Sequence, residues 1–271
     1  MTARISPELV SSLKRLRLGG LIETLAERLV LADKQEMSFE DFLLLIINDE
    51  IARRDSTAAS RRAASGNLDP NMRIELFDKT AKITYDKRMF NELASLRFIE
   101  KQKHVVVLGP VGVGKTFMAT ALGHIACQHG YNVQFVRADA MMRTLRQSRL
   151  DNSREQEMIA LTSIDLLILD DFALESMNKE ESRDIYQLFL ERTGRASMIV
   201  TSNRDTAEWI AMFDDMLLAQ SAVDRFKNAA YDFVIEGESY RPRQKPKLDT
   251  DDPPPQAPSQ KAHRHPRSKK R

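Results

Sequence analysis

The sequence predicts an α/β fold: a parallel sheet covered by helices, preceded by a small all-helical N-terminal domain and followed by a disordered basic tail. Three observations carry this. Short, fully apolar runs separated by helical segments recur between His104 and Ile235. Ahead of them, apolar residues recur at helical spacing, and beyond Gln244 they almost vanish among prolines and charges. A run that is apolar at every position is a strand buried on both faces, and strands of that kind alternating with helices belong to parallel sheets. With 271 residues and 42% of them hydrophobic, the chain has enough material for a real core, which excludes a wholly disordered protein.

The N-terminal domain is expected over residues 1–66. Leu21, Leu25 and Leu29 form one stripe; Phe39, Phe42, Leu43, Ile46, Ile47 and Ile51 form a second, and both follow the spacing of a buried helix face. Ser38 stands where an N-cap belongs, with Asp41 in the first turn. The cluster Ser65-Gly66-Asn67-Leu68-Asp69-Pro70 is a turn and a hinge candidate. After a helical stretch near Phe90 to Ile99 come the apolar runs His104–Leu108, Val133–Val136, Ile164–Leu169, Met198–Thr201 and Tyr231–Ile235, placing the α/β domain at 67–243.

Charge and composition limit the partners. The whole chain is only +2, but from Gln244 to Arg271 eight Lys and Arg face three Asp, so a +5 tail hides a −3 body. That proline-rich tail, 244–271, buries too little apolar surface to offset its ordering entropy. No run approaches the length of a membrane span: Phe42 to Ile47 stops at Asn48. The N-terminus lacks the apolar core of a secretory signal, and the single cysteine, Cys127, fits a reducing compartment, so the expected location is the cytoplasm.

The chemistry is concentrated in Gly109-Pro110-Val111-Gly112-Val113-Gly114-Lys115-Thr116, which meets the eight-position phosphate-loop pattern at every fixed position. An apolar strand enters it and a helix opening at Phe117 leaves it. Its backbone N–H groups and the helix dipole behind them form an anion nest. Lys115 is placed to reach the β- and γ-phosphates of a nucleoside triphosphate, and the Thr116 hydroxyl to ligate Mg²⁺. A metal-holding acid at the end of a second buried strand follows 55 residues after Lys115, in Ile164-Asp-Leu-Leu-Ile-Leu-Asp170-Asp171. Asp170 is assigned to Mg²⁺ and Asp171 to polarising the attacking water. Asn203, ending the strand Met198–Thr201, is a candidate sensor of the γ-phosphate.

Together GPVGVGKT, DLLILDDF, IVTSNR, AVDRF and IEGESYR resemble the IstB family of transposition helper ATPases, related to the helicase loader DnaC and within the AAA+ class. The likeness runs from about Ser6 to Arg243 and includes Leu-Lys-Arg-Leu-Arg-Leu-Gly-Gly-Leu near the N-terminus. It implies an AAA+ P-loop ATPase that uses ATP and Mg²⁺, oligomerises with ATP at subunit interfaces, assembles on target duplex DNA and recruits an IstA-type transposase. It also implies association with the nucleoid when DNA is bound. Arg225 in Ala222-Val-Asp-Arg225-Phe matches the arginine finger that reads a neighbouring subunit's phosphate. Arg241 in Gly237-Glu-Ser-Tyr-Arg241 lies in a family motif without an assigned role. A DnaC-like replicative helicase loader is the alternative reading; a stand-alone nucleotide kinase lacks any motif for an acceptor pocket or lid. Motifs do not place the adenine pocket, for which the stretch Arg97 to Ile99 is a candidate.

On that resemblance Arg53, Arg54, Arg61 and Arg62 become candidate contacts to the DNA backbone, giving affinity without sequence preference. Zinc-ligand spacing and RNA-binding aromatic patterns are missing from the sequence, so sequence-nonspecific binding is expected.

Overall fold

The computed structural model describes residues 5–244. The chain up to Tyr240 is one compact unit, and Arg241–Gln244 is a single 3₁₀ turn belonging to a second unit. From Lys245 on, the predicted tail lies outside the described residues.

Three helices come first, α1 (Pro7–Arg15), α2 (Leu21–Lys34) and α3 (Phe39–Ser65). Ser38 caps α3 as its sequence predicts, its hydroxyl accepting from Asp41 N at 3.1 Å. Leu21 and Leu25 are buried, but the second stripe divides: Phe42 and Ile46 are half-buried, whereas Leu43, Ile47 and Ile51 are exposed and Phe39 is 92% exposed. Periodicity finds the helix but not which face meets a partner, and this thin layer has only one inner side. The C-terminal half of α3 instead packs on the α/β core through the small residues Ala59 and Ala63.

The α/β part runs β1 (Ile83–Tyr85), α4 (Lys87–Ala94), α5 (Arg97–Glu100), β2 (His104–Leu108), α6 (Lys115–Gln128), β3 (Val133–Arg137), α7 (Ala138–Ser148), α8 (Arg154–Ser163), β4 (Leu166–Asp170), α9 (Lys179–Arg192), β5 (Ser197–Ser202), α10 (Thr206–Trp209), α11 (Met216–Asn228) and β6 (Ala230–Gly237). Strand order is β1-β6-β2-β5-β4-β3. Five strands are parallel as predicted; β1, which apolar runs do not reveal, adds an antiparallel edge, Thr84 opposite Glu236.

Alternate residues of each strand point to opposite faces, so every buried strand feeds two cores. Val105, Val107, Leu166, Ile168 and Ile199 pack with the α6 side; Val106, Leu167, Leu169, Met198 and Val200 pack with Phe189, Trp209 and Phe226. Full burial of such side chains contributes about 1.5–3 kcal/mol each. At the β3 edge the turn after α3 closes in, and Phe135 N donates to Gly66 O at 2.7 Å. A Cβ on Gly66 would collide with the Val133 carbonyl, which is why glycine stands there. The topology brings the carboxyl ends of β2, β5 and β4 side by side, and the candidate site lies across them.

Candidate nucleotide site

The loop between β2 and α6 is shaped by glycine. Gly112 and Gly114 adopt φ +85° and +96°, a backbone that side-chain-bearing residues rarely reach. Around Gly114 a Cβ would meet no atom, so the mouth of the cradle is open; at Gly112 it would strike the Ser239 hydroxyl. Val113 is buried and anchors the loop in the core, while Pro110 and Val111 are exposed. Lys115 opens α6 and is only 6% exposed; its Nζ turns back across the loop to the carbonyls of Gly109 and Pro110, 2.8 Å each. Phe117 is half-buried, its ring 5.6 Å from that of Phe77.

Thr116 and Asp170, 54 residues apart, meet across two neighbouring elements. The Thr116 hydroxyl lies 2.9 and 3.1 Å from the two carboxylate oxygens of Asp170. Thr201, in β5 between them, donates its hydroxyl to Asp170 Oδ1 at 2.6 Å and accepts from Asp171 N at 3.0 Å. Burial raises the Asp170 carboxyl above its ordinary range, reinforced by the Asp171 charge and opposed by the Thr201 and Thr116 hydroxyls and Arg137. Asp171, the first residue past β4, takes a left-handed φ of +55° and is half-buried.

Three participants escape sequence reasoning. Thr201 is one. Arg137 is the second: the sheet register sets it opposite Asp170, and its guanidinium lies 3.1 Å from Asp139 and 3.9 Å from Asp171. A charged residue closing the apolar run Val133–Val136 was the available signal. The third is a strap from β6 over the loop. Tyr240 N donates to Gly112 O at 2.8 Å, and its phenol donates to Asp78 Oδ2 at 2.8 Å.

The other predicted residues are distributed. Asn203 is exposed just past β5, on the same sheet end as the loop and Asp170. Arg225 is exposed near the end of α11, which delivers the chain to the amino end of β6, opposite the loop of its own chain. Arg53 and Arg54 both bind Glu50, Arg62 donates to Cys127 O at 3.3 Å, and Arg61 is exposed. The stretch Arg97 to Ile99 does not suit an adenine pocket. Phe98 and Ile99 are buried, and Phe98 O accepts from Ser197, the first residue of β5, so this stretch lies at the wrong end of the sheet. Cys127 is buried, its thiol pushed up to about 11 by that burial.

These residues fit a nucleotide with Mg²⁺. The cradle offers backbone N–H groups and an open mouth, and Thr116 with Asp170 supplies the hard oxygen donors that Mg²⁺ combines with phosphate oxygens and water. No helix of the described residues is long and apolar enough to cross a membrane.

Residues 11–248 match the family described as IstB-like ATP binding protein. The chain is 36% identical over 242 residues to a protein named for ATP binding in an insertion sequence of Mycobacterium tuberculosis, covering 89% of this chain and 96% of that one. It is 35% identical over 239 residues to one named for ATP binding in insertion sequence IS21 of Pseudomonas aeruginosa, covering 88% and 89%. In fold it is similar to a replication initiator, DnaA, bound to AMPPCP and single-stranded DNA, with a TM-score of 0.51 and 22% identity. That match covers 63% of this chain and spans about half, 51%, of the other. The architecture is the AAA+ P-loop fold.

Proposed function

The chain belongs to the IstB-like ATP-binding protein family, and on that premise we propose that it is an Mg²⁺-dependent ATPase that oligomerises on target duplex DNA and recruits a partner transposase. The observation that carries the ATPase half is the meeting of Thr116 with the Asp170 carboxylate beside the glycine loop. Insertion-sequence relatives carry the transposition half.

In this reading the 109–114 amides hold the phosphates, and Lys115 Nζ leaves the Gly109 and Pro110 carbonyls for the β- and γ-phosphate oxygens. Thr116 and Asp170 would hold Mg²⁺, which would neutralise charge developing on the phosphate oxygens. Asp171 orients a water and takes its proton as the water oxygen bonds to the γ-phosphorus and the bridging P–O bond breaks, releasing ADP and phosphate. Asn203 positions that water from the end of β5. Arg225, remote from its own loop, serves a neighbouring subunit, which makes hydrolysis depend on assembly. Of the four arginines expected to meet DNA, the exposed Arg53, Arg54 and Arg61 contribute backbone contacts, while Arg62 is engaged with Cys127 O.

The test is hydrolysis measured with and without duplex DNA and the neighbouring transposase. Stimulation by both is expected, and a rate indifferent to both would refute the regulator. Preference for single strands together with capture of a hexameric helicase would establish a helicase loader instead.

A further inference from the structure

Two basic stretches distant in sequence meet at one corner of the N-terminal helices. The end of α1 and its turn carry Lys14, Arg15 and Arg17, all exposed. Arg54 on α3 reaches across to this turn, Nη2 donating to Arg17 O at 3.0 Å. The turn runs so close to α3 that a Cβ on Gly20 would collide with the Arg53 side chain. Among the described residues no carboxylate pairs with Lys14, Arg15 or Arg17.

Glu50 makes this corner more than a run of charges. It is buried, and its carboxylate takes Arg53 Nε and Nη2 at 2.8 Å each and Arg54 Nε at 2.7 Å. The two guanidiniums hold its carboxyl down at about 2. One acid shared by two arginines leaves net positive charge and locks both guanidinium planes, while 44% and 53% of the two side chains remain in solvent. Burying a carboxylate is a costly route to a surface ion pair. It is an effective route to cations already oriented before a ligand arrives. The neighbouring Arg28–Asp49 pair, 2.7 Å apart, is a contrast: one to one and neutral, it simply fastens α2 to α3.

We propose that this corner, Lys14, Arg15 and Arg17 with Arg53 and Arg54, is a docking surface for the phosphates of duplex DNA. Fixed guanidinium forks suit phosphate oxygens, and the three cations, without a carboxylate partner among the described residues, add attraction without sequence preference. The inference rests on the DNA-binding reading above and relocates its centre. Arg62 faces α6 rather than solvent, and Arg61 stands two turns along α3 from Arg54, at the margin.

The test uses the full chain and a short labelled duplex, with affinity followed from about 50 to 200 mM salt. The triple variant Lys14→Ser, Arg15→Ser, Arg17→Ser should bind at least about tenfold more weakly at the low-salt end, with a salt slope shallower by about two to three. An equal loss of charge on the α4 side, Lys87→Ser, Arg88→Ser, Lys101→Ser, should leave both nearly unchanged. Independently, duplex DNA should slow acylation of Lys14 in the unmodified protein, read by mass spectrometry. Equal effects of the two triple variants, or Lys14 labelling that DNA leaves unchanged, would overturn the surface while DNA binding stands. Protection of Lys14 by the transposase but not by DNA would also overturn it. Unmodified protein that fails to bind duplex at low salt would remove the DNA reading and this surface together.

Discussion

At the carboxyl ends of the strands, Lys115 is buried with its Nζ on two loop carbonyls, Gly109 and Pro110. At the amino ends, Arg192 is completely buried with its guanidinium spread over the carbonyls of Leu161, Ile164, Asp165 and Ser197. Burial lowers the guanidinium to about 10, still a cation at neutral pH. The difference is in the partners. Arg192 satisfies carbonyls at the starts of β4 and β5 and after α8, so its charge is part of the fold. Lys115 sits on carbonyls of the loop that flanks the cradle, an arrangement that a phosphate can replace. Burial alone therefore does not separate a cation fixed by the fold from one that a phosphate could draw away; what it is bonded to does.

Replacing each cation should expose that contrast most strongly. Arg192→Leu strands several buried carbonyls and is expected to cost about 3–5 kcal/mol in urea unfolding. Lys115→Leu should leave unfolding without nucleotide nearly unchanged; an equal loss in both variants would erase the distinction.

The amino end also carries a pH signature. His104 stacks on Phe226 and accepts from Met198 N, and burial with the Arg192 charge lowers its imidazole from 6.5 to about 4. Between those values the unfolded chain holds a proton that the folded one refuses. Stability present above pH 6.5 should thus drain as the pH falls toward 4, by roughly 3 kcal/mol. His104→Gln, measured by urea unfolding at pH 7.5 and 4.5, should flatten that slope.

At the carboxyl end, MgATP at about a hundredfold excess over Kd should stabilise the protein by about 2.7 kcal/mol. Lys115→Leu should abolish that gain, which thermal unfolding with and without nucleotide will read. The smallest effect belongs to the strap: Tyr240→Phe removes the bond to Asp78 and is expected to weaken nucleotide binding by about tenfold, near 1.4 kcal/mol, measurable by calorimetry. Binding at wild-type strength would mean that the strap only decorates the loop.

The carboxyl end was also the more legible in sequence. The phosphate loop and Asp170 stand at fixed offsets from apolar strands, so local pattern located both. Thr201 and Arg137 join them through sheet register, and Tyr240 through a chain return 128 residues after Gly112, so no local spacing reports them. Five strands were visible as apolar runs. The sixth, β1, is three residues between Lys82 and Asp86 and exists because β6 extends far enough to pair with it. At the N-terminus, periodicity read α3 correctly as a helix but assigned Phe39 to a buried face, because spacing records amphipathicity and not whether an opposing surface is present.

The bond from Phe135 N to Gly66 O bears on how copies of this chain meet one another when they are concentrated. β3 is an edge of the sheet, and an uncovered edge offers N–H and C=O groups that template another strand. With the turn after α3 laid against it, one of those donors is already engaged within the chain. Neighbouring copies brought to high local concentration are then steered away from joining sheet to sheet. A lesion that lifted this turn would be felt first as aggregation, even with the nucleotide cradle intact.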